Sequence, residues 1–153
     1  MNRSAQMLRV DQAGEYGATR IYAGQLAVMG SRARDSAEIG HMAEQEAVHL
    51  ARFNALMNAR RVRPTALQPV WQVAGFALGA ASALIGPQAA MACTAAIEQE
   101  IDRHYTAQLD ELEGNDPELS GMIGDFRSDE RAHREVALAA GAAAPQPAPV
   151  PAF

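Results

Sequence analysis

Two copies of a Glu-x-x-His motif restrict the fold of this chain more than any other feature of its sequence. The copies are Glu46/His49 and Glu130/His133. Positions i and i+3 lie on one face of a helix, so each copy can direct a carboxylate and an imidazole at the same point. Short motifs of this kind arise often by chance. Their positions relative to turns therefore decide whether they belong to a site.

Each motif glutamate has a mirror partner across a turn. Glu15 and Glu46 are equidistant from a Gly-Ser dipeptide, and Glu98 and Glu130 are equidistant from the glycine of a Gly-Asn-Asp-Pro turn. If each turn joins two antiparallel helices, the two glutamates of a pair lie at the same height on a helical hairpin. A third Glu-x-x-His copy, at Glu38, fails this test because its mirror position is an alanine.

The two predicted hairpins also share sequence, which indicates an internal repeat. The offset that carries Glu15 onto Glu98 carries four residues of one hairpin onto identical residues of the other: Arg20, Tyr22, Gln25 and Leu26 recur as Arg103, Tyr105, Gln108 and Leu109. Two copies of a hairpin, each with a Glu on one helix and Glu-x-x-His on the next, predict an all-α, ferritin-like four-helix bundle with a two-metal carboxylate site in its core.

The residue types of this predicted site suit iron. Glu15, Glu46, Glu98 and Glu130 would bring their negative charges to two Fe²⁺ ions and leave a buried site close to neutral, whereas converging carboxylates without a cation repel one another. One imidazole per metal ion completes each set and leaves positions open for dioxygen. The two motif glutamates are central enough to bridge both ions, and the other two would be terminal.

Charge, cysteine content and chain length limit the other possibilities. The formal net charge of −5 argues against a nucleic-acid partner. The single Cys93 excludes a disulfide framework and is expected to be a small buried hydrophobe. The first residues lack the pattern of a signal peptide, so a reducing cytoplasm is expected. We predict one di-iron domain over residues 1–140 and a disordered Ala/Pro-rich tail over residues 141–153.

Helices are predicted around the ligand positions from periodicity, capping residues and turns. The first helix contains Gly14, Gly17 and Gly24, each of which costs about 1 kcal/mol relative to alanine. These glycines either allow a helix or ligand to approach closely or are simply tolerated. The predicted helices cover about residues 6–29, 36–59, a segment that carries Glu98 and ends near 113, and 118–140.

An apolar connector, about residues 69–86, lies between the hairpins. Residues 70–85 contain no charged side chain, and the segment is shorter than the stretch of about 20 residues that spans a bilayer. It is also too evenly apolar for a surface helix with one wet face. Two alternatives remain: a connector buried inside the protein, or a helix that leans into one leaflet with Trp71 at the headgroups and the arginines of residues 60–63 on phosphates.

The chain resembles the demethoxyubiquinol hydroxylases of ubiquinone synthesis over about residues 8–138, in order. The motifs that carry the resemblance include Arg9-Val-Asp-Gln-Ala-Gly-Glu-Tyr-Gly-Ala18, Glu46-x-x-His49-Leu-x-x-Phe53, Trp71-x-Val-Ala-Gly-Phe-Ala-Leu-Gly-Ala80 and Phe126-Arg-x-x-Glu130-x-x-His133. Together these motifs are highly specific. After the last of them the chain continues with Ala139-Ala-Gly-Ala-Ala-Ala-Pro145, where the family usually has an acidic stretch and a further apolar helix.

The resemblance implies a di-iron monooxygenase that uses O₂ to hydroxylate the ring of a polyprenylated demethoxybenzoquinol. It implies a peripheral protein on the cytoplasmic face of the cell inner membrane, with other ubiquinone-synthesis proteins as partners. The family docks on a membrane, which favours the leaflet alternative for the connector. His104 and Tyr105 match a His-Tyr pair of the family, near the site, that either delivers protons or electrons or packs. The implied iron ligands are Glu15, Glu46, His49, Glu98, Glu130 and His133.

Other functions are compatible with part of these sequence features. A ferritin-like ferroxidase or catalase would need the same ligands but no apolar connector, and a ribonucleotide reductase radical subunit is normally much longer. A non-catalytic, membrane-docked scaffold would bind quinol and use metal only for stability. The sequence contains no Gly-x-Gly-x-x-Gly fingerprint, so no Rossmann nucleotide site is predicted. The reduced quinol or a small carrier protein would then supply electrons.

Overall fold

The computed structural model describes residues 2–142, and this part of the chain contains five α-helices and no strands. The prediction of an all-α fold is therefore confirmed. Gly141 and Ala142 continue the last helix, although the sequence assigned them to the tail; the remainder of that predicted tail lies outside the described residues. The helices are α1 (Arg3–Met29), α2 (Ser36–Arg60), α3 (Gln68–Ile85), α4 (Pro87–Leu112) and α5 (Pro117–Ala142).

Turn residues end the helices where the sequence placed the breaks. Gly30 ends α1 with a φ of 66°, and Gly114 follows α4 with a φ of 78°, values that favour glycine. Asp116 precedes Pro117, the first residue of α5, and its side chain accepts a hydrogen bond from the backbone N–H of Leu119 at 3.2 Å. Asp116 is therefore the N-terminal cap of α5, and the proline at the first helical position favours the same start.

Four helices, α1, α2, α4 and α5, form a bundle of antiparallel neighbours. The helices α1 and α2 pack against each other, as do α4 and α5. Side-chain contacts link the two pairs: Arg3 near the start of α1 pairs with Glu111 near the end of α4, and Arg60 at the end of α2 pairs with Asp116 at the start of α5. Hydrophobic clusters around Phe53 and Phe126 on one side, and around Ile39 and Met91 on the other, fill the bundle.

The helix α3 packs lengthwise on α1 at a distance that glycine makes possible. A Cβ added to Gly24 would overlap with the backbone carbonyl of Phe76, and one added to Gly79 would overlap with that of Ile21. Gly24 therefore allows the close helix approach that the sequence suggested. Gly14 and Gly17 differ, because an added Cβ would meet nothing within 4 Å at either position.

The opposite face of α3 is apolar and exposed. Val73, Leu84 and Ile85 are 71%, 74% and 81% exposed, while Gly75 and Gly79 on the other face are buried. The alternative of a connector buried inside the protein is therefore wrong: the glycines seat one face on α1, and no element covers the other face within residues 2–142. Among the described helices, none combines the length and the hydropathy needed to cross a membrane.

Candidate metal centre

Six buried side chains meet at the middle of the bundle, and they are the six that the sequence predicted as ligands. They form two groups in which one ligand atom from each residue lies within 4.8 Å of the others. Glu46 and Glu130 belong to both groups, which is the arrangement expected for bridging residues. All six are at most 3% exposed. The groups are Glu15, Glu46, His49 and Glu130, and Glu46, Glu98, Glu130 and His133.

The two imidazoles point the same ring nitrogen at the carboxylates. His49 Nδ1 lies 3.2 Å from Glu130 Oε1 and 3.5 Å from Glu15 Oε2. His133 Nδ1 lies 3.2 Å from Glu46 Oε1 and 3.5 Å from Glu98 Oε1. Each histidine therefore faces the shared glutamate of the other motif, because α2 and α5 run antiparallel.

The other ring nitrogen of each histidine, Nε2, contacts a residue that is not one of the six. His49 Nε2 lies 2.9 Å from Asp129 Oδ2, and His133 Nε2 lies 2.5 Å from Gln45 Oε1. Both partners are oxygen acceptors, so Nε2 donates its hydrogen in each case, and Nδ1 is the ring nitrogen directed at the carboxylates. Sequence reasoning missed both residues, although each directly precedes the glutamate of a Glu-x-x-His motif.

The chemistry of the centre fits a metal pair. Among the described residues, buried atoms of all six side chains have no hydrogen-bond partner, including both carboxylate oxygens of Glu46 and of Glu130 and the Nδ1 atoms of His49 and His133. Buried polar atoms normally have such partners, since leaving one unpaired costs about 1–3 kcal/mol. Oxygen and imidazole donors aimed at common points suit divalent first-row metals such as iron.

Burial and mutual repulsion control the protonation of these groups. Burial, reinforced by the charge of Glu15, holds the pKa of Glu46 well above its usual range. Burial and Glu98 raise the pKa of Glu130 to about 11. Burial opposes a charge on His49, but its contacts with Glu130 and Glu15 outweigh burial and raise the pKa of the imidazole. The protein without a cation therefore retains protons that a bound metal would displace.

Two buried tyrosines hold the outer carboxylates. The hydroxyl of Tyr22 on α1 donates to Glu98 on α4, and the hydroxyl of Tyr105 on α4 donates to Glu15 on α1. Burial raises the pKa of both phenols well above its usual range, and the adjacent carboxylates add to the effect. Both tyrosines are therefore neutral donors. Tyr105 was singled out in the sequence, whereas Tyr22 was seen only as part of the repeat.

His104 does not join the six. Its side chain is 47% exposed, and its Nε2 lies 3.8 Å from Asp11 Oδ1 and 2.9 Å from Gln108 Nε2. Asp11 is buried and accepts a hydrogen bond of 2.6 Å from Gln108. This polar group around Asp11 was not foreseen from the sequence. Glu38, of the third motif, is exposed and lies outside both ligand groups.

Aromatic packing fixes one imidazole. The ring of His49 stacks on Phe126 with centroids 4.0 Å apart, and the guanidinium of Arg52 lies 4.8 Å from the Phe126 centroid on the protein surface. Stacking restricts rotation of the imidazole, which complements its hydrogen bond to Asp129. In the sequence, Phe126 stood out only as the first residue of a motif that carries the family resemblance.

A cavity of about 530 Å³ lies between α1, α3 and α4. Its walls are mostly small or aliphatic, and its charged lining residues are Arg9 and Glu100. Gly14 and Ile97, which line it, are direct sequence neighbours of Glu15 and Glu98. The cavity therefore lies against the two helices that carry the outer carboxylates, and the open space beside Gly14 belongs to it.

Comparison with known proteins gives one consistent result. The profile of the family described as "Ubiquinone biosynthesis protein COQ7" matches residues 2–151. A Rhodospirillum rubrum protein named 3-demethoxyubiquinol 3-hydroxylase is 55% identical over 137 residues, covering 90% of this chain and 65% of that protein. A Mus musculus protein named NADPH-dependent 3-demethoxyubiquinone 3-hydroxylase, mitochondrial, is 51% identical over 144 residues, covering 90% and 66%.

A third relative has a lower identity. A Saccharomyces cerevisiae protein named 5-demethoxyubiquinone hydroxylase, mitochondrial, is 42% identical over 149 residues, covering 87% of this chain and 64% of that protein. The matched part is therefore less than two thirds of the length of each of these three relatives. The six buried side chains of the centre all lie within the matched family region.

Proposed function

We propose, from the premise that this chain belongs to the COQ7 family of ubiquinone biosynthesis proteins, that it is a di-iron monooxygenase acting on a quinol. The reaction is the O₂-dependent hydroxylation of the ring of a polyprenylated demethoxybenzoquinol. Relatives named as demethoxyubiquinol or demethoxyubiquinone hydroxylases support this substrate class. The activity is that of a 3-demethoxyubiquinol 3-hydroxylase.

The observation that carries the proposal is the pair of ligand groups that share Glu46 and Glu130. Two groups with two members in common can hold two ions side by side. Each group offers carboxylate oxygens and one imidazole, the donor set that suits iron. When bound, the two iron ions would supply the electrons and the activation of O₂ that ring hydroxylation requires.

The side chains around the centre would balance the charge of the metal ions, exclude water and position the ligands. The carboxylates of Glu15, Glu46, Glu98 and Glu130 balance the charge of two divalent ions in a core that excludes water. Tyr22 and Tyr105 hold the two outer carboxylates in place through hydroxyl donors that stay protonated. We assign Tyr105 this positioning role, and His104 a place in the polar group around Asp11, outside the ligand set.

The apolar cavity is the proposed quinol site. Its volume of about 530 Å³ lies in the range of pockets that hold small organic ligands. Its position against the helices of Glu15 and Glu98 would place a ring close to the centre, where proximity and exclusion of water favour reaction. The isoprenoid tail would lie along α3, whose Trp71 and Leu78 line the cavity and are also exposed.

The exposed apolar face of α3 is the proposed membrane-docking surface. Val73, Leu84 and Ile85 would enter the acyl boundary of one leaflet. Arg61 and Arg63 would lie near lipid phosphates, whereas Arg60 already pairs with Asp116. The protein would then be peripheral, on the cytoplasmic face of the cell inner membrane. Other ubiquinone-synthesis proteins are proposed partners.

The finer description of the fold belongs to the same proposal. We consider the bundle ferritin-like and built from two repeated hairpins, within one di-iron domain that includes the last helix as far as Ala142. The exchanged contacts of Tyr22 with Glu98 and of Tyr105 with Glu15 support a repeat, since interchanging α1 and α4 converts one contact into the other.

The test is a single turnover with a defined product. The chain is loaded with Fe²⁺ without oxygen, mixed with a short-chain demethoxyquinol and exposed to O₂, and the product is identified by mass. In separate reactions, either excess reduced quinol or NADPH is added as the electron donor. NADPH is included because the mouse relative is named NADPH-dependent. We expect product that contains one added oxygen atom derived from O₂.

Control variants separate the rival functions. Glu98→Gln should abolish product, whereas Glu38→Gln, a change on the exposed face of α2, should not. Oxidation of iron without ring hydroxylation in every reaction would favour a ferroxidase. Quinol binding with neither iron oxidation nor product would favour the scaffold, and either result would overturn the monooxygenase.

A further inference from the structure

We infer that the two halves of the centre are inequivalent, because Asp129 makes the half that contains His49 the tighter metal site. Gln45 gives the half that contains His133 only a neutral partner. The inference rests on the proposed metal centre but adds a property that this proposal does not contain. Asp129 is a positioning residue in this scheme, since it acts on a metal only through His49.

The two partners occupy equivalent places in the structure. Gln45 directly precedes Glu46 on α2, and Asp129 directly precedes Glu130 on α5. Each side chain crosses to the other helix and contacts the Nε2 atom of its histidine, Asp129 Oδ2 at 2.9 Å and Gln45 Oε1 at 2.5 Å. The contacts match in position and both acceptor atoms are oxygens, so the main difference between them is that one belongs to a charged carboxylate and the other to a neutral amide.

The ligand sets themselves do not distinguish the halves. Each half has the two shared carboxylates, one outer carboxylate and one imidazole. Each outer carboxylate accepts a hydrogen bond from a buried tyrosine, Glu15 from Tyr105 and Glu98 from Tyr22. With ligand number, ligand type and outer tyrosine equal, the halves differ in the surroundings of the imidazole: His49 contacts Asp129 and stacks on Phe126, whereas His133 contacts Gln45.

A carboxylate behind a metal-binding imidazole strengthens the ligand. It accepts the Nε2 hydrogen more strongly than an amide does and so increases the electron density at Nδ1. It also adds a negative charge near a divalent cation. Loss of such a partner typically weakens metal binding 10- to 100-fold. The side chain of Asp129 is 44% exposed, which screens its charge and places the expected effect near the lower limit, about tenfold.

The nearby arginines pair with other acidic residues and do not compete with His49 for Asp129. Arg131 and Arg134, on the same helix, both pair with Asp102 of α4, at 2.8 Å and 3.6 Å. Arg52 lies over the Phe126 ring and 4.0 Å from Asp125. The ring of Phe126 also stacks on His49, so the imidazole is fixed in the orientation that faces Asp129.

Each half is measured alone by removing the outer carboxylate of the other. Glu98→Gln leaves the His49 half, and Glu15→Gln leaves the His133 half. The affinity of each variant for Co²⁺ is measured by calorimetry, and the visible spectrum of the bound ion reports its ligands. We expect the Glu98→Gln variant to bind Co²⁺ about tenfold more tightly than the Glu15→Gln variant.

The partner residues are then exchanged in these backgrounds. Asp129→Asn should weaken Co²⁺ binding about tenfold in the Glu98→Gln variant and leave the Glu15→Gln variant unchanged. Gln45→Glu should strengthen binding in the Glu15→Gln variant, a gain that misfolding cannot imitate. Circular dichroism of each variant checks that the helices are intact.

The outcomes separate this inference from the proposed function. The inequivalence would be overturned if the two halves had equal affinities and neither affinity responded to Asp129→Asn or Gln45→Glu. The di-metal centre would still stand in that case if the unmodified chain bound two Co²⁺ ions. Failure of the unmodified chain to bind Co²⁺ or Fe²⁺ would overturn both. A tighter His133 half would reverse the assignment and thereby refute it.

Discussion

Gly79 of α3 lies directly against the backbone carbonyl of Ile21 in α1. A Cβ added to this glycine would overlap with the carbonyl oxygen. Because the obstacle is backbone, rotation of a side chain cannot relieve it. The apolar helix is therefore fixed to the helix that carries Glu15, and the walls of the cavity between them have a defined spacing.

Replacing Gly79 with alanine should separate these helices. We expect Gly79→Ala to lower the free energy of unfolding by about 1–3 kcal/mol, as other overpacking substitutions do. The matched control is Gly121→Ala in α5, where an added Cβ meets nothing within 4 Å and alanine should add up to about 1 kcal/mol. Urea denaturation of the metal-loaded proteins measures both. Equal stabilities would mean that α3 is not seated on α1 as described.

The iron content should be about two ions per chain and should depend on the buried motifs. Glu46→Ala removes a residue that belongs to both ligand groups, so it should lose most of the iron. Glu38→Ala should keep it, because Glu38 is exposed and lies about two turns, roughly 12 Å, away along α2. Colorimetric iron assays after anaerobic loading and desalting make the comparison. Equal iron contents in these two variants would refute the ligand assignment.

Asp11 should destabilise the metal-free protein as the pH rises. Burial raises its pKa well above the usual value, and the nearby Glu15 adds to this, whereas the hydrogen bond from Gln108 opposes it. A carboxyl group whose pKa is raised by folding contributes stability below its unfolded pKa of about 3.9 and loses that contribution as pH increases. Asp11→Asn keeps an oxygen acceptor for Gln108 but cannot ionise.

The variant should therefore gain stability over the parent steadily from about pH 4 upward. Thermal unfolding of both metal-free proteins between pH 4.5 and 8.5 measures this gain. His104, whose Nε2 lies 3.8 Å from Asp11, is unchanged in both proteins. Asp110→Asn makes the same chemical change at an exposed position of α4 and should show no such trend. A gain that does not vary with pH would contradict the prediction.

Membrane association should depend on the exposed face of α3. Leu84 is 74% exposed, and Leu84→Glu should release the protein from vesicles that contain anionic lipid. Val48→Glu places the same charge at a 58% exposed apolar position of α2 and should leave binding intact. Vesicle sedimentation measures both, and emission from Trp71 should shift to the blue on binding. Similar binding by both variants would exclude α3 as the docking surface.

Filling the cavity should weaken quinol binding without removing iron. Ala74 lines the cavity from α3, and Ala74→Phe would occupy part of its volume of about 530 Å³. We expect KM for a short-chain demethoxyquinol to rise at least severalfold while the iron content stays at the parent level. Ala51→Phe adds the same ring to an exposed position of α2 and should change neither quantity. An unchanged KM in Ala74→Phe would exclude the cavity as the quinol site.

The sequence predicted the helices and the meeting of six side chains because both follow from spacing along the chain. A glutamate and a histidine three residues apart must share a helix face, and equal distances from a turn bring Glu15 level with Glu46. The structure brings these side chains together, while their role as iron ligands stays a prediction. Belonging to the family is confirmed by the profile match.

Contacts that depend on how helices are rotated and spaced relative to each other were not predictable in this way. Gln45 and Asp129 reach across to histidines of the opposite helix, and nothing in a single-helix pattern specifies that crossing. Asp11 was read as part of a motif, although its burial follows from the packing of α1 against α4. The sequence offered close approach of a helix as one explanation of the glycines in α1, but it did not identify α3 as the helix that packs there.

The division of the centre between the two hairpins has a consequence for the order of folding. The half that contains His49 takes three groups from α1 and α2 but needs Glu130 from α5, and the other half needs Glu46 from α2. Contacts inside a hairpin are local and form early, whereas contacts between hairpins close long loops and form later. Neither hairpin alone contains a complete set of ligands. If the centre binds metal as proposed, metal uptake during refolding would report the docking of the two hairpins rather than their formation.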